Sequence, residues 1–190
     1  MSDTRRRILD AARDIEREHG AERLTMRTIA GRVGVTATAL YRHFRNKDAL
    51  LRELRAEDAR TFQAYLDRVL EHERPGHRLA YAGSAYLDFA LDHPELYRTF
   101  FLSQPRTPLE RNAVGTVRVR TYAFLRDRID DCMRAGLVRD GDASQVAIEV
   151  WAQMHGLIAL YMAGAVAGTA DAFRDRYARA VDRLFASLSA

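Results

Sequence analysis

Apolar residues recur along most of the chain at intervals of three and four positions, which is the spacing of one face of an α-helix. The segment 26–33 is a clear example, because its apolar residues Met26, Ile29, Ala30 and Val33 share one face. No stretch alternates between apolar and polar residues as a half-buried strand does. The pattern therefore predicts an all-α protein of about nine helices.

Residues that begin or end helices set the predicted boundaries. Glycine suits the end of a helix, whereas proline suits its first turn and breaks its interior. On this basis Gly20 and Gly136 end two helices, and Pro75-Gly76 is expected to end a long one. The predicted helices span about residues 4–19, 26–33, 37–44, 47–73, 78–92, 94–102, 109–135, 142–164 and 170–187.

The segment 25–47 is predicted to form two short helices joined by a tight turn. Thr25 and Thr36 can cap the two helices, and Gly34 suits the turn between them. The second helix has an inward side with Leu40 and Phe44 and an outward side with Thr38, Tyr41, Arg42 and Arg45. An outward side that is small, polar, aromatic and basic is typical of a helix-turn-helix that reads DNA.

Positive charge is concentrated in the same region. The formal net charge of the chain is +4. Residues 1–47 hold 11 basic and 6 acidic side chains, whereas the rest of the chain holds 19 basic and 20 acidic ones. Positive charge attracts the phosphates of nucleic acid. The distribution fits a DNA-binding end, although a difference of this size also arises by chance.

The residue pattern from Thr25 to Leu50 resembles the DNA-binding domain of the TetR family of bacterial repressors. It reads Thr-x-x-x-Ile-Ala-x-x-Val-Gly-Val-Thr-x-x-x-Leu-Tyr-x-His-Phe-x-x-Lys-Asp-x-Leu without a gap. Two later segments, 92–97 and 151–157, resemble the C-terminal domain of one branch of these regulators. The resemblance implies a DNA-binding domain, residues 1–47, joined by a continuous helix to a helical ligand-binding and dimerisation domain, residues 48–190.

The resemblance also implies roles for residues of the helix-turn-helix. Tyr41 and His43 would contact the DNA backbone, and Lys47 would contact a phosphate at the start of the fourth helix. Arg42 can form two hydrogen bonds with guanine, and the methyl groups of alanine and threonine can touch thymine. The predicted DNA-binding residues are Thr25, Arg27, Thr36, Ala37, Thr38, Tyr41, Arg42, His43 and Lys47.

Three consecutive arginines, Arg5, Arg6 and Arg7, crowd the first turn of the first helix. Cations at a helix N-terminus oppose the helix dipole, and a nearby phosphate would relieve that cost. The sequence leaves two interpretations open, a DNA-facing arm and a solvated helix start.

Aromatic and apolar residues of the C-terminal domain could line a ligand pocket or form an ordinary core. The family resemblance favours a pocket, because these domains usually bind an inducer. Few charges occur at the inward positions, so a neutral, lipophilic or aromatic inducer is expected. The predicted ligand-binding residues are Tyr86, Phe89, Tyr97, Phe101, Trp151, Met154 and His155.

The last two helices, 142–164 and 170–187, are expected to form a homodimer interface, as the resemblance implies. The first of them is apolar nearly all round, so it must be buried on more than one side. The predicted function is that of a repressor released from a palindromic double-stranded DNA operator by a small-molecule inducer. The alternatives are a constitutive DNA-binding protein without an inducer and an enzyme on a helical scaffold.

Other classes of function find little support in the sequence. The chain has one cysteine, Cys132, and no apolar run of 18 residues, so neither a disulfide framework nor a membrane span is expected. The sequence shows no signal-peptide pattern, and a cytoplasmic location is predicted. Glycine-rich phosphate loops and hydrolase or metalloprotease motifs are missing. No catalytic residue, metal ligand or cofactor is therefore predicted.

Overall fold

The computed structural model describes residues 3–20, 23–105 and 107–190. Within these ranges it contains nine α-helices and one short π-helical segment, Arg98–Leu102. The helices are α1 Asp3–His19, α2 Met26–Val33, α3 Ala37–His43, α4 Lys47–Leu70, α5 Pro75–Asp92, α6 Pro94–Tyr97, α7 Pro108–Arg134, α8 Ala143–Met162 and α9 Ala170–Leu188. The prediction of an all-α fold is confirmed.

The helices form two compact units. The first unit comprises Met1–Arg60 and Thr107–Ala113, and the second comprises Thr61–Arg106 and Val114–Ala190. Helices α4 and α7 therefore contribute residues to both units. The division falls within α4, because the first turns of this helix belong to the core of the first unit.

The core of the first unit consists of apolar residues from α1, α2, α3 and the start of α4, together with Leu24 between α1 and α2. Its buried residues are Ile8, Leu9, Ala11, Ala12, Ile15, Leu24, Met26, Ile29, Ala30, Val33, Leu40, Phe44, Leu50 and Leu54. Burying one large apolar side chain contributes about 1.5–3 kcal/mol. Helices α2 and α3 have only 8 and 7 residues, too few to be stable in isolation. Packing in this core therefore stabilises them.

Charged side chains also join α1 to α4 within the first unit. Arg55 of α4 donates to Glu16 of α1 and, at 2.9 Å, to Asp58. Arg13 of α1 donates to the second oxygen of Asp58 at 3.1 Å and to Glu57 at 2.7 Å. The side chains of Arg55 and Asp58 are only 6% and 1% exposed. Buried charges persist in a folded protein when they are paired and hydrogen-bonded, as these are.

Helix boundaries differ from the sequence prediction at two places. Helix α4 ends at Leu70, and Pro75 is the first residue of α5 rather than the end of α4. Proline fits there because a first-turn residue needs no N–H donor within the helix. The segment Arg98–Leu102 is π-helical, a rare form that apolar spacing does not predict.

In the second unit, α5 packs against α8 and α9. The buried side chain of Tyr177 in α9 crosses to α5, where its hydroxyl donates to the carbonyl of Gly83 at 3.1 Å. The rings of Tyr161 in α8 and Phe173 in α9 stack with centroids 4.1 Å apart. These contacts fix the last two helices against each other and against α5.

We expect Asp58→Asn to lower the free energy of unfolding by about 2 kcal/mol, because it deprives two arginines of a charged acceptor in a buried position. Chemical unfolding followed by circular dichroism measures the change. Asp67→Asn, at an exposed position of the same helix, is the matched control and should change the free energy by less than about 0.5 kcal/mol. If both substitutions lowered the free energy of unfolding equally, a stabilising role of the buried Arg55–Asp58 pair would be contradicted.

Candidate nucleic-acid interface and aromatic cluster

Four residues fix the geometry of the helix-turn-helix. Thr25 and Thr28 each accept a hydrogen bond from the other's backbone amide, at 3.1 and 3.0 Å, and form a capping box at the start of α2. Gly34 ends α2 with φ +77°, a left-handed conformation that glycine adopts without strain. The Thr36 hydroxyl accepts from the Ala39 amide at 3.1 Å and caps α3. The two predicted caps and the turn are confirmed.

Helix α3 presents one side to the core and the other to solvent. Leu40 and Phe44 are 0% and 2% exposed, as predicted. The predicted DNA-contacting residues of this helix and its cap, Thr36, Ala37, Thr38, Tyr41 and Arg42, are all exposed. Half of the Tyr41 surface is accessible to solvent, although tyrosine is a large side chain that is often buried. The outward side of α3 therefore offers hydroxyl, phenol and guanidinium groups to a partner.

The start of α4 offers a second set of donors. The Asn46 side-chain oxygen accepts from the Ala49 amide at 2.8 Å, so Asn46 caps this helix. Lys47, the only lysine of the chain, is the first residue of α4 and is half-buried. A helix N-terminus and an ammonium group both attract phosphate. Among the other predicted residues, Thr25 and Arg27 are exposed and His43 is half-buried.

The arginines of α1 make contacts that neither sequence interpretation anticipated. Arg5 donates to the carbonyl of His43, the last residue of α3, at 2.7 Å. Arg7 donates to the carbonyl of Val33, the last residue of α2, at 3.0 Å. Arg6 lies between them and is exposed. Two of the three arginines thus bind the ends of the helix-turn-helix instead of standing free as an arm.

Arg5 is held from two further directions. Its Nε donates to Glu53 of α4 at 2.7 Å, and its guanidinium lies 4.3 Å from the centroid of the Phe44 ring. The hydrogen bond from Arg5 lowers the pKa of Glu53 below its ordinary value, and the same bond raises the pKa of Arg5. Both groups therefore remain charged and paired at neutral pH.

The predicted ligand-binding residues lie in the second unit, where aromatic rings pack together. Tyr86, Phe89, Tyr97, Phe101 and Met154 are buried, and Trp151 and His155 are half-buried. The Phe101 ring is central, with centroid distances of 5.1 Å to Tyr97, 5.3 Å to Tyr86, 6.2 Å to Trp151 and 6.5 Å to His155. We call these five residues the aromatic cluster.

The two other predicted residues lie beside the aromatic cluster. Phe89 reaches it through Phe62, whose ring centroid is 4.7 Å from that of Phe89 and 5.5 Å from that of Phe101. Met154 lies against Gly83 of α5. The structure thus brings five of the seven predicted residues into one connected cluster.

Hydrogen bonds connect the polar atoms of the aromatic cluster. The Trp151 Nε1–H donates to the Tyr86 hydroxyl at 3.1 Å, and the Tyr97 hydroxyl lies 2.7 Å from His155 Nδ1. Burial raises the pKa of both tyrosines, so their hydroxyls keep their protons. Burial, with a smaller effect of nearby Arg118, lowers the pKa of His155. The imidazole is therefore neutral at pH 7, and its Nδ1 shares a hydrogen bond with the Tyr97 hydroxyl.

Both parts of the chain match families of bacterial regulators. Residues 8–54 match the family described as bacterial regulatory proteins, tetR family. Residues 79–184 match the family described as tetracyclin repressor-like, C-terminal domain, and this match alone covers more than half of the chain. The chain belongs to the TetR family.

The relatives of this TetR-family chain include a transcriptional repressor, a nucleoid occlusion factor and a transcription regulator of known structure. An HTH-type transcriptional repressor from Mycobacterium tuberculosis is 39% identical over 64 residues, which cover 34% of each chain. This chain therefore spans about a third of that relative's length. Nucleoid occlusion factor SlmA from Photobacterium profundum is 26% identical over 165 residues, 83% of each chain. A TetR transcription regulator from Haloarcula marismortui shares the fold, with 19% identity and a TM-score of 0.80 over 100% of both chains.

Membership of the TetR family establishes the general class of function. The chain is a DNA-binding transcriptional regulator and not an enzyme, as predicted, and regulators of this family dimerise. In the part of the chain that the structure describes, no helix is long and apolar enough to cross a membrane. The same residues hold no group of three or more His, Cys, Asp or Glu arranged to hold a metal ion.

We expect the free energy of unfolding to fall as the pH drops below about 6.5, the ordinary pKa of histidine. The folded pKa of His155 lies below that value, so the unfolded chain binds the proton more readily and acid favours unfolding. Chemical unfolding between about pH 5 and pH 8 tests this in the wild type and in His155→Gln. The glutamine side chain can still form a hydrogen bond with Tyr97 but does not titrate, so the stability of the variant should depend less on pH. If the free energy of unfolding changed with pH by the same amount in both proteins, the conclusion that His155 is neutral in the folded chain would be contradicted.

Proposed function

We propose that the chain is a repressor that binds a palindromic DNA operator as a homodimer and leaves it when a small lipophilic or aromatic inducer binds. The observation that supports operator recognition most strongly is the exposed outward side of α3. Thr38, Tyr41 and Arg42 stand there together, while the opposite side of the same short helix is fully buried. A helix so arranged can enter the major groove of DNA without disturbing its own core.

Within this interface, we propose that some residues contact bases and that others contact phosphates. The Arg42 guanidinium suits the two acceptors of guanine, and the methyl groups of Ala37 and Thr38 suit thymine. Lys47 suits a phosphate, because its charge adds to that of a helix N-terminus. The complete proposed set is Thr25, Arg27, Thr36, Ala37, Thr38, Tyr41, Arg42, His43 and Lys47.

The homodimer is proposed to form through α8 and α9. Helix α8 buries one side in its own unit, yet Ile148 and Leu160 on another side are 45% and 50% exposed. Ala152 and Gly156 lie between them at four-residue spacing, and open space surrounds Gly156. A row with small residues at its centre allows a second helix to pack closely. In such a dimer the two α3 helices would read half-sites about 34–36 Å apart.

The inducer is proposed to bind at the aromatic cluster and its neighbours, a set comprising Tyr86, Phe89, Tyr97, Phe101, Trp151, Met154 and His155. Sites for small molecules are mostly apolar with a few polar atoms that orient the ligand. Rings linked by hydroxyl, indole and neutral imidazole groups have this composition. A neutral ligand with an aromatic or aliphatic body suits the cluster better than an anion or a metal complex.

The close packing of the rings favours a second candidate, a constitutive DNA-binding protein without an inducer. Centroid distances of 4.7 to 6.5 Å are those of aromatic rings in direct contact. An inducer would therefore have to separate rings that touch in this structure. It would release DNA only if it bound more tightly to the state that does not fit the operator.

We expect Arg42→Ala to relax the preference of the protein at one base pair of each half-site. Site selection from genomic DNA of the source organism supplies the operator, and binding is then compared with a scrambled duplex. The variant should lose about 1–3 kcal/mol on the operator and much less on the scrambled duplex. Equal losses on both duplexes would make Arg42 a phosphate contact, contrary to the proposal.

Lys47→Ala provides the matched comparison. It should weaken operator and scrambled duplex alike, and it should lower the slope of log affinity against log salt by about one. Because Lys47 is the only lysine, peptide mapping after acylation of amines measures its labelling without interference from other lysines. Bound DNA should protect this side chain from acylation, and unprotected labelling of Lys47 in the complex would contradict the assignment.

Trp151 is the only tryptophan of the chain and belongs to the aromatic cluster, so its fluorescence reports on ligand binding there. We expect an inducer to change Trp151 emission and to release the operator over the same range of concentration. Tyr86→Phe, which removes the hydroxyl that accepts from the indole, should alter inducer affinity by about 1 kcal/mol and leave operator affinity unchanged. Release of DNA without any change in emission would contradict this site. A broad lipophilic screen with neither effect would favour the constitutive candidate.

A further inference from the structure

The N-terminal end of α1 contacts the final residue of both helices in the helix-turn-helix. Arg5 donates to the carbonyl of His43 at the end of α3, and Arg7 donates to the carbonyl of Val33 at the end of α2. These arginines are 38 and 26 residues away from their acceptors along the chain. One turn of one helix therefore touches the C-terminal ends of both α2 and α3.

A guanidinium group is well suited to a helix C-terminus. The last carbonyls of a helix lack intrahelical partners, and the helix dipole places negative charge there. A charged donor at that position therefore stabilises the helix and fixes the place of its end. The effect matters most for α3, because a helix of 7 residues is marginal without tertiary contacts.

Arg5 holds the end of α3 from several directions at once. Besides the His43 carbonyl, its guanidinium contacts both carboxylate oxygens of Glu53 in α4 and lies over the Phe44 ring. Phe44 is the C-cap residue, which directly follows α3. The planar guanidinium thus connects α1, the end of α3 and α4, which an ammonium group could not do with the same geometry.

We infer that Arg5, assisted by Arg7, is a positioning residue for operator recognition: it sets the orientation of α3 relative to α2 and α4. This inference rests on the proposed function, because it takes α3 to be the helix that reads DNA. It also accounts for the cations at the start of α1, where they oppose the dipole of their own helix. Their charge complements the C-terminal ends of two other helices instead.

Three substitutions that each remove one charge separate positioning from phosphate binding. Arg5→Gln should lower the ratio of operator to scrambled-duplex affinity about tenfold, which is the scale of one lost base contact, and leave the salt slope unchanged. Arg7→Gln should lower the ratio less. Arg6→Gln, at the exposed position between them, is the control and should leave the ratio unchanged. Equal losses on both duplexes and a smaller salt slope for Arg5→Gln would overturn the inference.

Glu53→Gln tests the same contact by removing a negative charge instead of a positive one. It raises the net charge of the protein by one, so attraction to phosphates alone would strengthen binding to every duplex. Loss of the Arg5–Glu53 contact should instead lower the ratio of operator to scrambled-duplex affinity. A ratio that stays constant or rises in Glu53→Gln would contradict the positioning role.

Hydrogen exchange tests the same inference without DNA. The Leu40 and Phe44 amides bond to Thr36 and Leu40 carbonyls within α3 at 3.1 and 3.0 Å. Arg5→Gln should speed exchange at these amides at least about tenfold, whereas Arg6→Gln should not. If wild-type protein did not discriminate the operator, the proposed function would fail, and exchange would still decide whether Arg5 holds α3. Unchanged exchange in Arg5→Gln would refute the inference.

Discussion

The structure of the DNA-binding end depends on one constraint: helices α2 and α3, with 8 and 7 residues, are too short to hold their own positions. Their orientation must come from contacts with the longer helices α1 and α4. Apolar burial supplies most of the stability, with Leu40 and Phe44 of α3 in the core. Burial of apolar side chains has no preferred direction, however. Hydrogen bonds to charged groups are directional, so they can fix the orientation that a helix needs in order to contact bases.

Arginine–carboxylate contacts supply that definition between α1 and α4. Arg55 and Asp58 are almost completely buried, and Glu16 and Arg13 of α1 complete their pairing. Buried ion pairs are weak evidence for added stability, since apolar residues of equal volume often serve as well. Their geometry is nevertheless demanding, so they favour one register of α1 against α4. Arg5 extends the same contact towards the end of α3 through Glu53.

Features that depend on neighbouring residues could be predicted from the sequence, and features that depend on distant ones could not. The caps at Thr25 and Thr36 and the turn at Gly34 involve residues within a few positions, so their chemistry is visible locally. The contact of Arg5 with Glu53 spans 48 residues. The only local sign of this contact was an arginine at the start of a helix, where the helix dipole disfavours a positive charge.

The second unit shows the same limit. Apolar spacing identified the residues of the aromatic cluster, because inward positions follow from helical periodicity. It could not distinguish rings in contact from rings around a ligand, since both require the same residues at the same spacing. The hydrogen bonds between Tyr86, Tyr97, Trp151 and His155 depend on how α5, α6 and α8 pack. The π-helical segment Arg98–Leu102, which carries Phe101, was likewise not visible in the spacing.

A crystal structure of the protein bound to its selected operator would show whether α3, held in place by α1, reads DNA. We expect the Arg42 guanidinium at a base edge in the major groove and the Lys47 ammonium at a phosphate. We also expect Arg5 to remain on the His43 carbonyl and Glu53. An Arg5 side chain bound to a phosphate, with α3 still in the same orientation, would contradict the positioning role of Arg5.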